Sequence, residues 1–322
     1  MPELPEVETT ARGLKRTIIG LTIKDVWTDL STKDKRQKDS VANPKFFIIF
    51  KKEILNKKVL SVERRAKNIL INLSGSKTIL VHMKMTGHLL YGEYKFTSPP
   101  APRFDKERGL GRGSAWIPAK TNGPLSDPFN RFIHVVFSLS NGQHLAFSDA
   151  RKFGKITLLD TTTAHGTKHL NNIGPEPLDK NFDLEKLKEC LNKKPNGKIK
   201  TVLMDQSIIA GIGNIYSDEI LWRASIHPER KVSTLLRQSS EGQKIKVIFK
   251  AIKETLAKGI DFGGDSMSDY RNIDGLPGKF QLHHDVYRRA GEKCRKSGCR
   301  GIIKRIIING RSAHFCPIHQ SI

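Results

Sequence analysis

The first nine residues of the chain, MPELPEVET, bring together an amine that could act as a nucleophile and two carboxylates. Proline at position 2 is small enough for Met1 to be removed, which would leave the secondary amine of Pro2 as the N-terminus. An α-amino group has an ordinary pKa of about 7.7–8.0, so part of it is unprotonated at neutral pH. Attack of this amine on an aldehyde-level carbon, such as C1′ of a deoxyribose, forms an iminium ion that accepts electrons. The segment therefore predicts covalent amine catalysis beside Glu3 and Glu6.

The same residues also fit an ordinary helix start. Pro5 suits the first turn of a helix, where its missing N–H costs nothing. Glutamates are favoured there by the helix dipole. This segment alone leaves both interpretations open.

A second group of reactive residues lies near the C-terminus, with the spacing C-x4-C-x16-C-x2-H. Two close ligand pairs separated by a loop are typical of a tetrahedral zinc site. Because four protein ligands leave no open position, the metal is expected to be structural. Asn309-Gly310 predicts a β-hairpin in the intervening loop, with Arg311 beside its turn. The expected ligands of one Zn²⁺ are Cys294, Cys299, Cys316 and His319, whereas Cys190 is expected only to pack.

The charge of the chain narrows the choice of partner. Its 322 residues carry 56 Lys and Arg against 32 Asp and Glu, a formal net charge of +24. Such a balance favours binding to a polyanion, most often nucleic acid, over a merely basic surface. The sequence has no apolar run long enough to span a membrane and no signal-peptide core. Together with cysteines expected to be reduced, this predicts a cytoplasmic protein, associated with the nucleoid if bacterial.

Periodicity predicts the elements that must position these residues. Val7, Ala11, Leu14 and Ile18 recur at helical spacing, and Gly20 can end the helix. Strands are expected where residues alternate or run apolar, at 21–28, 67–74, 77–83, 131–140 and 155–159. The fold class is therefore α+β, with an N-terminal helix laid against an antiparallel β-sandwich.

Changes in sequence texture predict the domain organisation. The N-terminal catalytic β-sandwich domain is expected at 1–164 and contains a loop insertion at 93–130. A linker is expected at 165–182. It contains Glu176 between two prolines, and this residue is expected to form a turn rather than to belong to a functional site. Helical texture follows at 183–284, and the finger occupies 285–322. Within the helical domain, the chain turns through Ala210–Gly213 and starts a helix near Asn214, whose N–H groups could bind phosphate.

Taken together, the motifs resemble the formamidopyrimidine-DNA glycosylases of the Fpg/Nei family, Fpg branch, which excise oxidised purines from DNA. The resemblance covers most of the chain outside 93–130. It rests on MPELPEVET, ERRAKNILINL, HMKMTGHL, SDARKFG, IGPEPL, AGIGNIYSDEILWRASIHP, DGLPGKF, VYRRAGEKC and NGRSAHFCP, in the family's order. It implies a helix–two-turn–helix and a zinc finger in the C-terminal part. It also implies base excision repair of 8-oxoguanine and formamidopyrimidines, followed by β,δ-elimination at the abasic site, by a monomer on duplex DNA.

The resemblance also implies roles for matching residues. Pro2 would be the Schiff-base nucleophile, Glu3 the acid–base group at the sugar, and Glu6 a positioning group for water or the opened sugar. Lys67 would contact phosphate and assist elimination, and Asn214 and Arg311 would grip flanking phosphates. An extruded base leaves a gap that must be filled, and the matching residues are Met85, Arg151 and Phe153.

Departures and alternatives remain. The family's finger is usually C-x2-C-x16-C-x2-C, so the longer first knuckle and His319 affect the expected geometry more than the expected metal. Phe132 stands where the family often has histidine. An endonuclease VIII-like enzyme for oxidised pyrimidines is one alternative, although Leu4 favours the purine branch. The other is a non-catalytic DNA-binding zinc protein. The loop at 262–274 is expected to set lesion preference.

Overall fold

In the computed structural model, residues 1–97, 116–237, 242–267 and 269–321 are described. The chain forms two compact units. The first comprises Met1–Pro2, Glu6–Thr167 and Gly263–Lys279, and the second comprises Glu3–Pro5, Lys168–Phe262 and Phe280–Ile322. The domain boundaries expected from the sequence at 164, 182 and 284 stay a prediction. In the structure, the short stretch Gly263–Lys279 packs with the first unit.

Helix α1 (Leu4–Thr17) forms where the apolar spacing predicts it. Its first two residues group with the second unit and the remainder with the first. Val7, Leu14 and Ile18 are at most 1 % exposed, so the apolar stripe faces the core of the first unit. Gly20 follows the helix with a φ of +85°, a conformation that costs glycine no steric strain. The predicted helix and its end are confirmed.

The first unit contains two four-stranded antiparallel sheets, ordered β1-β8-β9-β5 and β10-β4-β3-β2. Buried residues of both sheets share one cluster with α1, so the predicted helix and sandwich are confirmed. All five predicted strands are present. The strands of the two sheets are β1 (Ile23–Thr28), β2 (Val59–Arg65), β3 (Asn68–Leu73), β4 (Lys77–His82), β5 (His88–Gly92), β8 (Ile133–Leu139), β9 (His144–Ser148) and β10 (Lys155–Asp160).

Helix α2 (Pro44–Ile54) was not predicted, although its start signals are present in the sequence. The side chain of Asn43 accepts hydrogen bonds from the N–H groups of Lys45 and Phe46, and Pro44 occupies the first turn. This is an ordinary N-cap followed by an N-terminal proline. Phe50 on this helix is fully buried and packs edge-on against Phe137 in the sandwich core.

Part of the predicted insertion at 93–130 forms a short hairpin of β6 (Tyr94–Phe96) and β7 (Trp116–Pro118). Residues 98–115 of the insertion lie outside the described residues. The segment after β7 consists of short turns around Pro124 and Pro128.

The second unit is helical, as the texture predicts, and ends in a hairpin. Helix α5 starts at Asn214, where the sequence places a helix restart. Cys190 is 1 % exposed within the helical core, so its predicted packing role is confirmed. The elements are α3 (Leu184–Asn192), α4 (Ile199–Met204), α5 (Asn214–Arg223), α6 (Val232–Leu236), α7 (Gly242–Asp261), β11 (Lys304–Ile308) and β12 (Arg311–Phe315).

None of the helices within the described ranges combines the length and hydropathy needed to cross a bilayer.

Candidate functional site

The carboxylate of Glu3 is held at the start of α5 in the second unit. It accepts hydrogen bonds from the N–H groups of Gly213 (2.6 Å), Ile215 (2.9 Å) and Tyr216 (3.4 Å). Glu3 is only 1 % exposed. The first N–H groups of a helix have no intrahelical acceptor and carry a partial positive charge. The helix therefore fixes both the position and the orientation of this carboxylate.

This arrangement changes one prediction about the 210–213 turn. Its N–H groups were expected to bind phosphate, but those of Gly213, Ile215 and Tyr216 bind the chain's own Glu3. A Cβ on Gly213 would lie 2.4 Å from Cδ of Glu3, so only glycine leaves room for the carboxylate. The next residue, Leu4, donates its N–H to the carbonyl of Gly211 at 2.9 Å. The side chain of Asn214 takes no part in these contacts with Glu3.

Glu6 is attached to the Gly263–Lys279 stretch in the first unit. Its Oε1 accepts the N–H of Asp265 at 2.7 Å, and Glu6 is 1 % exposed. Gly264 has a φ of +86°, and a Cβ there would lie 2.8 Å from Cγ of Glu6. The hydroxyl of Tyr270 donates to the backbone carbonyl of Glu6 at 3.0 Å. Glu6 is therefore coupled to the loop that the sequence associates with lesion preference.

Lys67 lies in the two-residue turn between β2 and β3, where Ala66 has a φ of +53°. The turn is anchored to α1 because Arg64 donates to Glu8 at 2.8 Å and to the carbonyl of Ala66 at 3.2 Å. Burial disfavours the ionised carboxylate of Glu8, but hydrogen bonds from Arg64 stabilise it more strongly, so the pKa of Glu8 is lowered. Lys67 is only 6 % exposed, which makes it a positioned ammonium rather than a solvated strand end.

His82, which sequence reasoning missed, belongs to the environment of Lys67. Burial, followed by the positive charges of Lys84 and Lys67, lowers the pKa of His82 to about 3. Its Nδ1 accepts the N–H of Lys84 at 3.0 Å, so the neutral ring carries its proton on Nε2. An imidazole N–H donor is thus held near Lys67.

Met85, Arg151 and Phe153 lie on two loops of the first unit that are joined by hydrogen bonds. Thr86 donates its hydroxyl to Asp149, and the N–H of Arg151 lies 3.2 Å from both the Thr86 hydroxyl and Asp149 Oδ1. Asp149 is fully buried and also accepts the N–H of Gly154 at 2.7 Å. The structure therefore places the loop that carries Met85 beside the loop that carries the other two residues.

The side chains of Arg151 and Phe153 are exposed. Phe153 is 48 % exposed, and the guanidinium carbon of Arg151 lies 4.6 Å from its ring centroid. An exposed large aromatic beside an arginine is suited to stacking on bases and to donating hydrogen bonds to an unpaired base. The structure thus excludes a core-packing role for Phe153.

Arg311 is exposed at the first position of β12, next to the hairpin turn of the finger. Asn309 and Gly310 have φ values of +47° and +74°, which is the two-residue turn predicted from the sequence. Asn214 starts α5, and its Oδ1 is buried without a hydrogen-bond partner among the described residues. Both side chains can donate to phosphate oxygens.

The predicted metal ligands come together in the second unit. The ligand atoms of Cys294, Cys299, Cys316 and His319 all lie within 4.8 Å of one another. Cys299 Sγ is 3.5 Å from Cys316 Sγ and 3.6 Å from His319 Nδ1, and Cys294 Sγ is also 3.6 Å from this nitrogen. Tetrahedral bonds of about 2.3 Å to sulfur and about 2.0 Å to nitrogen give separations of about 3.5–3.8 Å. The residues present fit a zinc ion despite the unusual spacing.

Groups around the cluster orient its ligands. His319 Nε2 lies 3.3 Å from the carbonyl of Trp222, which leaves Nδ1 as the nitrogen that faces the sulfurs. Burial lowers the pKa of His319 and keeps the ring neutral. The indole N–H of Trp222 donates to Cys294 Sγ at 3.3 Å. A Cβ on Gly301 would lie 2.3 Å from Cys316 Sγ, so the knuckle requires glycine there.

Several residues that hold the site had no motif of their own in the sequence. Gly213 and Gly264 act by leaving room for Glu3 and Glu6, respectively. The side-chain carboxylate of Asp149 acts by accepting hydrogen bonds from the backbone N–H groups of Arg151 and Gly154. The sequence marks Gly213 and Gly264 only by the motifs GIG and GG. Such glycines indicate that another group approaches the backbone closely, but they do not identify that group.

Comparison with known proteins gives matches over both units. The model of the formamidopyrimidine-DNA glycosylase N-terminal domain matches residues 1–156. The model of the formamidopyrimidine-DNA glycosylase H2TH domain matches residues 173–271.

Whole-chain relatives agree with these models. A formamidopyrimidine-DNA glycosylase of Pelotomaculum thermopropionicum is 37 % identical over 322 residues, covering 100 % of both chains. One of Herpetosiphon aurantiacus is 35 % identical over 326 residues, also covering 100 % of both.

Among solved structures, three complexes of the Lactococcus lactis Fpg are similar, each 30 % identical and covered over 100 % of its length. The complex with abasic-site DNA has a TM-score of 0.77 and covers 99 % of this chain. The complexes with DNA containing N7-benzyl-Fapy-dG and an oxidised pyrimidine have TM-scores of 0.77 and 0.76, and each covers 100 % of this chain.

Proposed function

The chain belongs to the formamidopyrimidine-DNA glycosylase family, and from this premise we propose that it excises oxidised purines from duplex DNA and then cleaves the abasic strand by β,δ-elimination. Glycosylase action on DNA follows from the family. The oxidised-purine substrates and the lyase step are the proposed part. The observation that carries the proposal is the buried carboxylate of Glu3, fixed at the start of α5 and directly following the candidate nucleophile in the chain.

The proposed nucleophile is the nitrogen of Pro2 after Met1 has been removed. While Met1 is present, that nitrogen belongs to a peptide bond and has no basic lone pair. Once it is free, it attacks C1′ of the damaged nucleoside, the C1′–N bond breaks, and the base leaves with the electron pair of that bond and takes up a proton. The nitrogen then loses its proton, the C1′–O4′ bond breaks and O4′ takes up a proton, which opens the sugar ring and leaves an iminium ion at C1′. This ion makes the C2′ proton acidic, which allows elimination of the 3′ and then the 5′ phosphate.

Carboxylates and a lysine supply the proton transfers in this proposal. Glu3 acts as the acid–base group at the sugar, since its carboxylate is held rigidly rather than free in solvent. Glu6 positions water or the opened sugar. Lys67 assists elimination and contacts phosphate, which its nearly complete burial in an anchored turn supports.

A zinc ion would be held by Cys294, Cys299, Cys316 and His319, whose donor set and separations fit it. When bound, it supplies a structural crosslink and no open coordination position for chemistry. The finger's own residue Arg311 then grips a phosphate from the turn of the hairpin. Asn214 binds a second phosphate from the start of α5.

Void filling is assigned to Met85, Arg151 and Phe153. The exposed Phe153 ring wedges a base step, and Arg151 donates to the base left without a partner. Met85 fills the gap with a flexible, polarisable side chain.

A second substrate class is favoured by one observation. The Lactococcus lactis Fpg has been solved with DNA containing an oxidised pyrimidine, so oxidised pyrimidines are the alternative substrate here. Leu4, which favours the purine branch, is fully buried in the hydrophobic core of the second unit. It therefore marks the branch without itself reading the base.

The proposal is tested by excision on duplexes that contain 8-oxoguanine, formamidopyrimidine or dihydrouracil, combined with borohydride trapping. We expect the purine lesions to be released fastest and the trapped DNA to be attached to Pro2 in mass spectra of the mature protein. Pro2→Gly should weaken trapping greatly, and a tag fused before residue 2 should abolish it. Normal trapping by tagged protein would move the nucleophile to a lysine, and no trapping by any form would favour the non-catalytic zinc protein.

A further inference from the structure

The part of the insertion that follows β7, the insertion segment (Gly123–Asn130), has no assigned role. Its last residue, Asn130, is 1 % exposed. Nδ2 of Asn130 donates to the carbonyl of Pro124 at 2.9 Å and to the carbonyl of Gly275 at 3.2 Å. Because both carbonyls require the amide nitrogen, Oδ1 faces His88 and accepts from its Nε2 at 2.9 Å. One amide therefore fixes the insertion segment to β5 and to the stretch that contains Gly275.

The backbones of these two segments lie close together at Gly275, which has a φ of +84°. A Cβ at this position would lie 2.7 Å from the carbonyl oxygen of Pro124 and 2.9 Å from Nδ2 of Asn130. Two residues earlier, the carbonyl of Ile273 accepts the N–H of Tyr91 in β5 at 2.8 Å. Only glycine combines this conformation with so close an approach. The stretch is therefore held against backbone, which cannot move aside as the end of a side chain can.

A buried arginine provides a second connection. Arg271 is 6 % exposed, and its Nε donates to Oδ2 of Asp127 in the insertion segment at 3.2 Å. Oδ1 of Asp127 accepts the N–H of Phe129 at 2.8 Å, and the guanidinium carbon of Arg271 lies 4.4 Å from the Phe129 ring centroid. A buried charge is costly unless it is paired and hydrogen-bonded. The insertion segment thus supplies Arg271 with a counter-charge and with an aromatic cover.

Arg271 acts at the base of the loop that contacts Glu6. Its Nη1 donates to the carbonyl of Tyr270 at 2.9 Å, and the Ser266 hydroxyl donates to the same oxygen at 2.7 Å. This oxygen therefore joins the two ends of the loop. At one end the N–H of Asp265 donates to Glu6 Oε1 at 2.7 Å, and at the other the Tyr270 hydroxyl donates to the Glu6 carbonyl at 3.0 Å. These two contacts of Glu6 start from backbone to which Arg271 is bonded.

We propose that the insertion segment positions the Glu6 carboxylate. Asp127, Asn130 and Arg271 are its positioning residues, and they act on Glu6 through the loop rather than by direct contact. Side chains that must place a reacting group need support from rigid neighbours, because small displacements slow the reaction strongly. The inference deepens the proposed function and rests on it in one respect, which is the role given there to Glu6 of placing water or the opened sugar.

The first test measures amide hydrogen exchange at Asp265, whose N–H donates to Glu6, in protein without DNA. Arg271→Met removes the guanidinium and keeps a long side chain, and the remaining Asp127 is partly exposed and still accepts the N–H of Phe129. We expect exchange to become about tenfold faster, since a hydrogen bond to a charged group contributes about this factor at the lower end of its range. Asp127→Asn should act in the same direction and add nothing in the Arg271→Met background.

Asp34→Asn is the matched control. Asp34, like Asp127, accepts a backbone N–H two residues later and pairs with an arginine, but its partner Arg36 is exposed and belongs to a different turn. Exchange at Asp265 should match the parent in this variant. Unchanged exchange in Asp127→Asn would overturn the inference even if Arg271→Met exchanged faster, because the insertion segment would then carry none of the effect. Additive effects in the double variant would also overturn it.

The second test separates positioning from DNA contact. Strand cleavage at a preformed abasic site is measured in single turnover, and affinity is measured for a duplex with a non-cleavable abasic analogue. A displacement of about 1 Å can cost about 100-fold, so a shift of Glu6 by about half an ångström should slow cleavage about tenfold in Asp127→Asn and Arg271→Met. Affinity should stay at the parent value.

An unchanged cleavage rate in these variants, or a loss confined to affinity, would overturn the inference. Failure of the parent protein to cleave or to be trapped by borohydride is a different result, because it would refute the proposed function. Exchange at Asp265 requires no turnover, so it would still decide whether the insertion segment positions Glu6.

Discussion

The sharpest prediction concerns the glycine that accommodates Glu3. In Gly213→Ala the new Cβ would lie 2.4 Å from Cδ of Glu3 and 2.6 and 2.8 Å from its carboxylate oxygens. Gly213 has a φ of −135°, so the left-handed region is not the obstacle. The obstacle is the end of a flexible side chain, which can move aside. We therefore expect the variant to fold and its Glu3 carboxylate to be displaced.

The size of the effect follows from this displacement. Ordinary van der Waals contact begins near 3.4 Å, so the carboxylate must retreat by about 1 Å. Misplacing a catalytic group by about 1 Å can slow the chemical step about 100-fold, or about 2.7 kcal/mol in the barrier. Single-turnover excision of 8-oxoguanine should show this loss. Borohydride trapping on a preformed abasic site should fall less, because base departure is no longer needed.

The control is Gly123→Ala, since a Cβ there meets nothing within 4 Å. Its excision rate and thermal unfolding should match the parent. If Gly213→Ala folded normally and excised the base at the parent rate, the position of the Glu3 carboxylate would not limit the reaction. The reasoning from the α5 start to catalysis would then be refuted.

Three further predictions address pH, metal and DNA binding. Burial lowers the pKa of His88 from 6.5 to about 4, so as pH falls the unfolded state binds this proton before the folded state, and the free energy of unfolding decreases between these two pH values. At about pH 5 the decrease is about 2 kcal/mol. Urea unfolding should therefore show a smaller pH dependence for His88→Gln than for the parent. Cys316→Ser should lose its one zinc in metal analysis and bind DNA more weakly, whereas Cys190→Ser should keep both; full activity without metal would contradict a zinc-dependent finger. Arg311→Ala should lower the salt slope of DNA binding by about 0.9 and reduce δ-elimination product, and an unchanged slope would make the finger a structural cap.

Much of the fold could be predicted because period and turn chemistry are local. The apolar spacing after Pro5 specified α1, and Asn309-Gly310 specified the hairpin of the finger. Helix α2 was missed even though Asn43 and Pro44 mark its start. Its apolar residues form an almost continuous run, in which helical periodicity is hard to see.

The candidate site was predicted as a set of residues but not as a set of contacts. The ligand spacing of the finger could be read directly, since coordination demands fixed residue types. The clamp on Glu3 could not, because it joins residues 210 positions apart and consists of backbone N–H groups, which every sequence possesses. The expectation that N–H groups of that turn bind phosphate missed the contact with Glu3 for the same reason, since a helix start accepts any nearby anion.

The clamp on Glu3 also has a consequence for how the protein is made. Glu3 leaves the ribosome among the first residues, yet Gly213, Ile215 and Tyr216 emerge more than two hundred positions later. Contacts this distant in sequence form late, because a long loop must close first. A nascent or prematurely terminated chain can therefore have a finished N-terminus and still lack the carboxylate's final position. The carboxylate proposed to act beside Pro2 therefore reaches its place only after the chain has been translated through the start of α5.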